Sequence, residues 1–397
     1  MRKLILLSGS TGALGGTLIS ISLFIKGAVK QGKGDYLCVP TRVGSLMEEY
    51  LTSAGQKQYL QFIKANSDRE FIEKSLYWIS QQPESWPLVL DNCIARELLP
   101  TLIKASLKLR FSKRRIYFFF HDLGMSYNPV GYFSRKLMFT CLGSIGITNS
   151  HFTASHVQKF VGNISTIVYP PVDIERFKPL DGPKKEAPAA LQPILNSGAR
   201  VLLTPSRLNK PGIVNDKNLR ALIPVLAVLK QQGHFYHSVV IGKDTSTDSS
   251  HTRELLTAAA AAGVTDRFTI LPPTFAIEDY YPYADALITL APREPFGRTV
   301  VEAIACGIPV IGSCTGGISE TLSNFAPQWT VDANNVPAVA ATVISVVNGV
   351  DTPRLIDQGQ QWVKENCNIQ TFARTILSET GIIPTNPTTN RHTSFAT

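Results

Sequence analysis

Short apolar runs alternate with stretches of helical periodicity along this chain, and the pattern runs twice, on either side of a proline-rich segment. In the first half, Lys3–Leu7, Tyr36–Val39, Leu88–Leu90, Ile116–Phe120, Ser144–Thr148 and Thr166–Tyr169 read as strands, with helices over Gly16–Lys30 and Phe133–Leu142 among them. In the second half, strands fit Val201–Thr204, Ser238–Gly242, Phe268–Leu271, Ala286–Leu290 and Pro309–Gly312. Helices there fit Asn218–Gln231, Glu254–Ala262, Val300–Cys306 and Pro337–Val347. Apolar strands spaced by helices predict parallel sheets covered on both faces, an α/β chain of two doubly wound, Rossmann-like domains. The boundary falls in Pro170–Ala199, which holds Pro170, Pro171, Pro179, Pro183, Pro188 and Pro193 together with Lys184-Lys185-Glu186. The domains are expected at 1–175 and 176–359, with a polar, Thr-rich and disordered tail at 382–397. Ligands of such sheets sit at the carboxyl ends of the strands, so the chemistry is expected from post-strand loops of two domains facing across a cleft.

Composition narrows the class. With 44% hydrophobic and 17% charged residues the 397-residue chain is globular and long enough to bury a core without staples. The cysteines Cys38, Cys93, Cys141, Cys306, Cys314 and Cys367 contain no C-x-x-C, which argues for reduced thiols. The net charge of +9 is lopsided: residues 1–175 hold 20 Lys and Arg against 12 Asp and Glu, the rest 19 against 18. The front half is expected to meet an anionic partner. Leu4-Ile5-Leu6-Leu7 after Arg2-Lys3 is too short for a signal peptide, and Leu18–Ile25 is interrupted by Ser20 and Ser22. The expectation is a cytoplasmic protein, free or peripheral at the inner membrane face.

Several loops carry candidate chemistry. Ser8-Gly9-Ser10-Thr11-Gly12-Ala13-Leu14-Gly15-Gly16 follows the first strand and can offer backbone N–H groups and a helix start to a phosphate, or serve as a tight turn. Its G-x-x-G-x-x-G spacing, with Tyr132-x-x-x-Lys136, also fits a nicotinamide oxidoreductase. That reading lacks an acid after the second strand, where Val39-Pro40-Thr41-Arg42 stands, and leaves the second half unexplained. In the second half Ala291–Ala303 follows a strand and opens a helix, placing Glu294 and Glu302 with seven residues between them. Two carboxylates there can accept hydrogen bonds from vicinal hydroxyls of a sugar or ribose. The N–H groups at Phe296, Gly297 and Thr299 to Val301 suit a phosphate. Thr299-x-x-Glu302 also fits a capping box, which leaves Glu302 open to a structural role. The acids do not resemble a glycosidase couple.

A phosphate bound beside these loops needs a cation. No D-x-D metal motif stands in a post-strand loop, whereas Arg207, with its forked donors, and Lys217 open the second half's first helix. The alternative is that both are solvated surface cations, but their place at the start of that helix favours function. His121 follows Phe118-Phe119-Phe120, with Asp122 as its candidate orienter. Ser150 before His151 reads as a helix N-cap. Lys104–Arg115 packs six cations among Leu107, Phe111 and other apolar residues, either an amphipathic surface for anionic lipid or a solvated face; no binding motif speaks for nucleic acid.

Glu294-Pro295-Phe296-Gly297 through Glu302-Ala303, Cys306-Gly307-Ile308-Pro309-Val310-Ile311 and Gly316-Gly317-Ile318-Ser319-Glu320 together resemble the E-x7-E signature of retaining glycosyltransferases of family 4, which have the GT-B fold. Thr204-Pro205-Ser206-Arg207-Leu208, Lys217-Asn218-Leu219, Tyr169-Pro170-Pro171-Val172-Asp173, Arg176-Phe177-Lys178-Pro179, Gly15-Gly16 and Phe120-His121-Asp122 are similar to further family motifs. The Arg207-to-Lys217 spacing is longer than the family's, as if Asn209–Asp216 were inserted, so Lys217 is taken as the phosphate lysine and Lys210 as the alternative.

The resemblance implies front-face hexosyl transfer from a nucleoside-diphosphate sugar with retention, needing no metal or other cofactor. UDP-glucose is the expected donor and GDP-mannose the alternative. The acceptor is expected to be a glycan or lipid-linked molecule of exopolysaccharide or envelope synthesis. His121, Arg207, Lys217 and Glu294 are implied as catalytic. Gly15, Gly16, Leu271, Pro272, Phe296, Gly297, Thr299, Val300 and Glu302 are implied as donor-binding, Glu302 on the ribose and Leu271-Pro272 against the base. Helices at about 360–380 are implied to return to the front domain. A sugar-nucleotide-binding module without catalysis is the alternative of another class.

Overall fold

The structure, a computed structural model, describes residues 1–12, 15–126, 128–180, 186–212 and 216–384. The expectations on Ala13 and Leu14, on Pro183-Lys184-Lys185, on 213–215 of the insertion and on the tail from 385 onward lie outside them. The chain divides into two compact units, one of Met1–Pro171 with the chain from Cys367 on, the other of Val172–Asn366.

Unit 1 is a seven-stranded parallel sheet. Its strands are β1 (Leu4–Ser8), β2 (Leu37–Arg42), β3 (Leu60–Ile63), β4 (Leu88–Asp91), β5 (Ile116–Phe120), β6 (Ile145–Thr148) and β7 (Ile164–Ile167), in the spatial order β3-β2-β1-β4-β5-β6-β7. Both faces are covered, which is why its strands read as unbroken apolar runs. Ile5 and Leu7 face one core with Phe118 and Phe120; Leu4 and Leu6 face the other with Tyr117 and Phe119. Helices Asp68–Ser80, Leu99–Phe111 and Pro129–Leu142 supply the first core, and Gly16–Lys30 and Leu46–Ser53 the second. Ser45, Ser67, Asn128 and Ser150 cap their helices with side-chain oxygens; the Ser150 hydroxyl accepts the Thr153 N–H at 2.9 Å.

Helix Ile369–Glu379 belongs to this unit. Phe372 meets Phe24 edge-on at 6.4 Å, the Tyr117 hydroxyl donates to the Glu379 carbonyl at 2.8 Å, and a Cβ on Gly27 would overlap the Ile369 carbonyl. The return begins at Cys367, later than 360, because helix Thr352–Asn366 packs within unit 2, Gly359 lying against Ile304 and Phe325. Ile382 and Ile383 pack on the second core, so the tail's expected start at 382 is too early. Strand β3 went unpredicted: it is a four-residue, mostly half-exposed segment with no clean alternation. The partly buried edge strand β7 starts two residues before the expected Thr166.

Unit 2 is a six-stranded parallel sheet of β8 (Arg200–Pro205), β9 (Tyr236–Ile241), β10 (Phe268–Leu271), β11 (Ala286–Thr289), β12 (Val310–Ser313) and the two-residue β13 (Thr330–Val331), in the order β10-β9-β8-β11-β12-β13. Its helices include Leu222–Gln231, Ser250–Ala261, Arg298–Ala305, Gly316–Leu322 and Val336–Asn348. The Ser250–Ala261 helix starts from a left-handed Ser249 without a cap of its own; Asp244 takes the Thr252 N–H and hydroxyl instead, at 2.8 and 2.7 Å. No single helix among the described residues is long and apolar enough to cross a membrane. All six cysteines are free thiols.

Candidate active site

In each sheet the strand order reverses once, and crevices at the carboxyl ends of strands open at such points. In unit 2 the reversal lies between β8 and β11. β8 is followed by Ser206-Arg207 and β11 by the loop Leu290–Gly297.

The two loops meet through an ion pair and through hydrogen bonds, among them Arg293 to the Gly212 carbonyl at 3.0 Å. Lys217 Nζ lies 2.5 Å from Glu294 Oε2, and both side chains are about one-fifth exposed. Lys217 is held by its neighbours. Asn218, at φ +50°, donates its side-chain amide to the Leu290 carbonyl at 3.1 Å. Asp216 accepts the Asn218 N–H at 2.8 Å and a two-pronged contact from Arg220 at 3.0 and 2.9 Å. Burial pushes the Asp216 carboxyl up, yet these donors hold it below the usual carboxylate range.

Glu294 is seated by glycines. The Gly317 N–H donates to the Glu294 carbonyl at 2.8 Å, and a Cβ on Gly317 would overlap Pro295 and Phe296. Gly316, at φ +80°, would set a Cβ 3.0 Å from the Glu294 carbonyl oxygen. Gly242 likewise has no room for a Cβ against Ser206, which lets the loop after β9 run beside Arg207: Leu208 and Thr245 pair with Lys243 and Leu208 carbonyls at 2.9 and 3.0 Å. Arg207 itself is exposed, as is Lys210. Leu271 ends β10 with its carbonyl accepting the Gly242 N–H at 3.1 Å, and Pro272 is exposed beyond it.

Helix Arg298–Ala305 starts at Gly297, at φ +89°, not at Thr299. The capping box is therefore not formed: Thr299 already lies inside the helix. The Val300 N–H donates to the Gly297 carbonyl at 3.0 Å, so of the expected phosphate donors Val300 is already engaged. Thr299 stands in the first turn, whose N–H groups have no acceptor inside the helix. Phe296 is buried under the loop. Glu302 is 7% exposed; its Oε2 accepts the hydroxyl of the fully buried Tyr281 at 3.1 Å, and Oε1 lies 3.6 Å from Arg298 Nε. Burial raises its carboxyl above the ordinary range, against the pull of Arg298 and the Tyr281 bond. Behind it Phe177 meets Tyr281 edge-on at 5.9 Å, and Arg176 pairs with Glu278 at 2.6 Å.

In unit 1 the reversal lies between β1 and β4. The Gly9 N–H donates to the Asp91 carbonyl at 2.9 Å, and a Cβ on Gly9 would sit 2.7 Å from the Asn92 carbonyl and Cys93 Cα. The first loop is tied down by Thr11, whose hydroxyl donates to Asp68 at 2.5 Å and accepts from Arg42 Nε at 2.8 Å. Gly15 is the extended N-cap of the helix that Gly16 begins.

His121 Nε2 lies 2.8 Å from Asp91 Oδ1, and its ring packs against Phe119 at 4.2 Å, tilted by 38°. The orienting acid is thus Asp91, 2% exposed at the end of β4. Asp122 turns instead to the Gly124 N–H at 3.0 Å. Tyr132 of the Y-x-x-x-K decoy packs against Phe160 and Phe133 on helix Pro129–Leu142. Sequence reasoning missed Asp91, Tyr281 and Asp244. An acid closing the apolar run Leu88-Val89-Leu90 was a usable signal; within Tyr280-Tyr281-Pro282-Tyr283 nothing marks which ring is buried. Among the described residues no group of three or more His, Cys, Asp or Glu is placed to hold a metal ion.

Comparison with known proteins adds to this geometry. The family model described as Glycosyl transferases group 1 matches residues 195–376. The D-inositol 3-phosphate glycosyltransferase of Mycolicibacterium vanbaalenii is 31% identical over 185 residues, 46% of this chain and 40% of that protein. D-inositol 3-phosphate glycosyltransferase 2 of Catenulispora acidiphila is 29% identical over 206 residues, 51% of this chain and 46% of that protein. The chain spans less than half the length of these relatives. Anabaena HepE, solved in complex with UDP and glucose, shares the fold at a TM-score of 0.72, with 17% identity, over 96% of this chain and 100% of that one. Residues 195–376 are therefore similar to the group 1 glycosyltransferases, and the chain that carries them has the GT-B fold.

Proposed function

We propose that this chain is a retaining hexosyltransferase that takes a nucleoside-diphosphate sugar, UDP-glucose first, and needs no metal ion. The observation that carries the reading is the Lys217–Glu294 pair at the β8/β11 reversal, with Arg207 on the adjoining loop. An acid for sugar hydroxyls and a cation for the departing diphosphate stand within one contact of each other. As the glycosidic bond breaks, charge grows on the diphosphate, and fixed cations stabilise it more in the transition state than in the substrate. Lys217 then exchanges part of its contact with Glu294 for phosphate oxygens.

Arg207 supplies a two-pronged grip, and the Thr299 N–H at the helix start a third donor. Glu294, Phe296 and Gly297 position the sugar. Glu302, held by the Tyr281 hydroxyl and paired with Arg298, is assigned a ribose hydroxyl. The base lies at Leu271 and Pro272. For His121 the proposal is a hydrogen bond to the donor sugar near its anomeric centre, and for Gly15 and Gly16 a backbone contact to phosphate. The acceptor proton passes to the departing phosphate, so no protein nucleophile is needed.

Unit 1 is assigned the acceptor. Its positive charge suits an anionic or lipid-borne one, such as a growing envelope glycan. The relatives' names point to a second acceptor class, a phosphorylated polyol, which carries the same sign of charge.

The test is hydrolysis of UDP-glucose by the purified chain. Slow turnover that persists in EDTA is expected; strict dependence on manganese would overturn the cationic account. GDP-mannose in the same assay decides the donor, and tight donor binding with no turnover would favour a binding module.

A further inference from the structure

Two neighbouring helices of unit 1 carry an apolar face that no described residue covers. On Leu99–Phe111, Leu107 is 52% and Phe111 82% exposed; on Pro129–Leu142, Val130 is 70%, Phe133 64% and Leu137 52% exposed. Spacings of three, four and seven residues set Leu107 and Phe111 on one face of the first helix, and Val130, Phe133 and Leu137 on one face of the second. Their opposite faces fill one core through Leu102, Leu109, Met138 and Phe139. Arg110 fastens them together, its guanidinium donating to the Thr140 carbonyl at 2.7 Å.

The surrounding charge has one sign. From 99 to 143 there are eight Lys and Arg and one acid, Asp122, which is turned to the Gly124 N–H. Not all of these cations belong to the surface. Arg114 is buried and donates to the Trp86, Ile79 and Gln82 carbonyls, so it is part of the fold. Lys104 and Lys108 flank Leu107, and Lys136 flanks Phe133 and Leu137; all three are exposed.

We propose that this two-helix face is a docking surface for an anionic lipid bilayer, with Leu107, Phe111, Val130, Phe133 and Leu137 entering the headgroup boundary and Lys104, Lys108 and Lys136 meeting lipid phosphates. Protruding apolar side chains framed by lysines are the composition that holds a helix in the plane of a bilayer surface. A second copy of the chain is disfavoured, because self-docking would press lysines against lysines. Nucleic acid fits less well, since three of the five protruding residues are aliphatic and offer no ring for base stacking.

The test is co-sedimentation of the full chain with phosphatidylcholine vesicles, with and without phosphatidylglycerol. Binding is expected only with the anionic lipid and should weaken as salt rises. Phe111→Ser with Phe133→Ser, and separately Lys104→Glu with Lys136→Glu, should each lower partitioning at least about tenfold while Tm and donor hydrolysis stay unchanged. Failure to bind anionic vesicles, or binding that survives both pairs of substitutions, overturns the proposal. So does a single-stranded oligonucleotide that binds the wild type more tightly than the vesicles do and is lost with the lysine pair. A dimer in sedimentation velocity that disappears with the phenylalanine pair, vesicle binding being unaffected, overturns it as well.

Discussion

The two units solve the same topological problem with different chemistry. Each reverses its strand order once, and in each a glycine lets the loop after one strand run against its neighbour: Gly9 on Asn92 and Cys93 in unit 1, Gly242 on Ser206 in unit 2. Unit 2 then places an acid–cation pair that is about one-fifth exposed, Lys217 with Glu294, at the reversal. Unit 1 places a nearly buried pair, His121 with Asp91, there. A partly solvated pair can open to admit a charged ligand at little cost. A buried one is a positioning device, because the carboxylate fixes which imidazole nitrogen carries the proton.

The largest effect that can break this contrast is on turnover in unit 2. Glu294→Ala and Lys217→Ala should each lower donor turnover by about a thousandfold, the scale of losing a fixed charge partner at the departing oxygen. Tm should fall by no more than about 1 kcal/mol of stability implies, because a pair this accessible contributes little to folding. Arg207→Ala should cost about a hundredfold and Lys210→Ala almost nothing. A loss at Lys210 and none at Lys217 would exchange their roles.

A smaller effect is expected in unit 1. Asp91→Asn should lower kcat about tenfold and leave donor KM nearly unchanged. The double variant with His121→Ala should be no worse than His121→Ala alone, since Asp91 acts through the ring. Additive losses would mean that Asp91 serves the fold only.

The smallest effect is on stability in acid. Asp216 is ionised more readily in the folded chain than in the unfolded one, through Arg220 and the Asn218 N–H working against burial. A depressed carboxyl contributes stability above its unfolded pKa of about 4 and loses it as pH falls through the folded value. Asp216→Asn should therefore lower Tm at neutral pH and flatten the decline below about pH 4. A parallel decline in variant and wild type would remove Asp216 from the account.

How much of this was legible follows the same division. Buried parallel strands such as β5 announce themselves as apolar runs, and helix Gly16–Lys30 was read to its ends. Strands β3 and β13 are short edge segments whose pairing, not composition, makes them strands. In unit 2 the residues proposed for the chemistry stand in loops, Glu294 beside Pro295, where an acid has no other local reason to be, so Glu294 could be singled out. Glu302 was ambiguous because Thr299-x-x-Glu302 satisfies a capping rule that Gly297 pre-empts with a left-handed turn. In unit 1 the partner of His121 is thirty residues away on β4 and reaches it only through strand pairing, so the adjacent Asp122 was the natural but incorrect choice.

The central claim is that cations of unit 2 receive the departing diphosphate. A crystal structure of the chain with UDP tests it directly. The account predicts diphosphate oxygens within hydrogen-bond distance of the Arg207 guanidinium, Lys217 Nζ and the Thr299 N–H. A diphosphate bound clear of all three would contradict it.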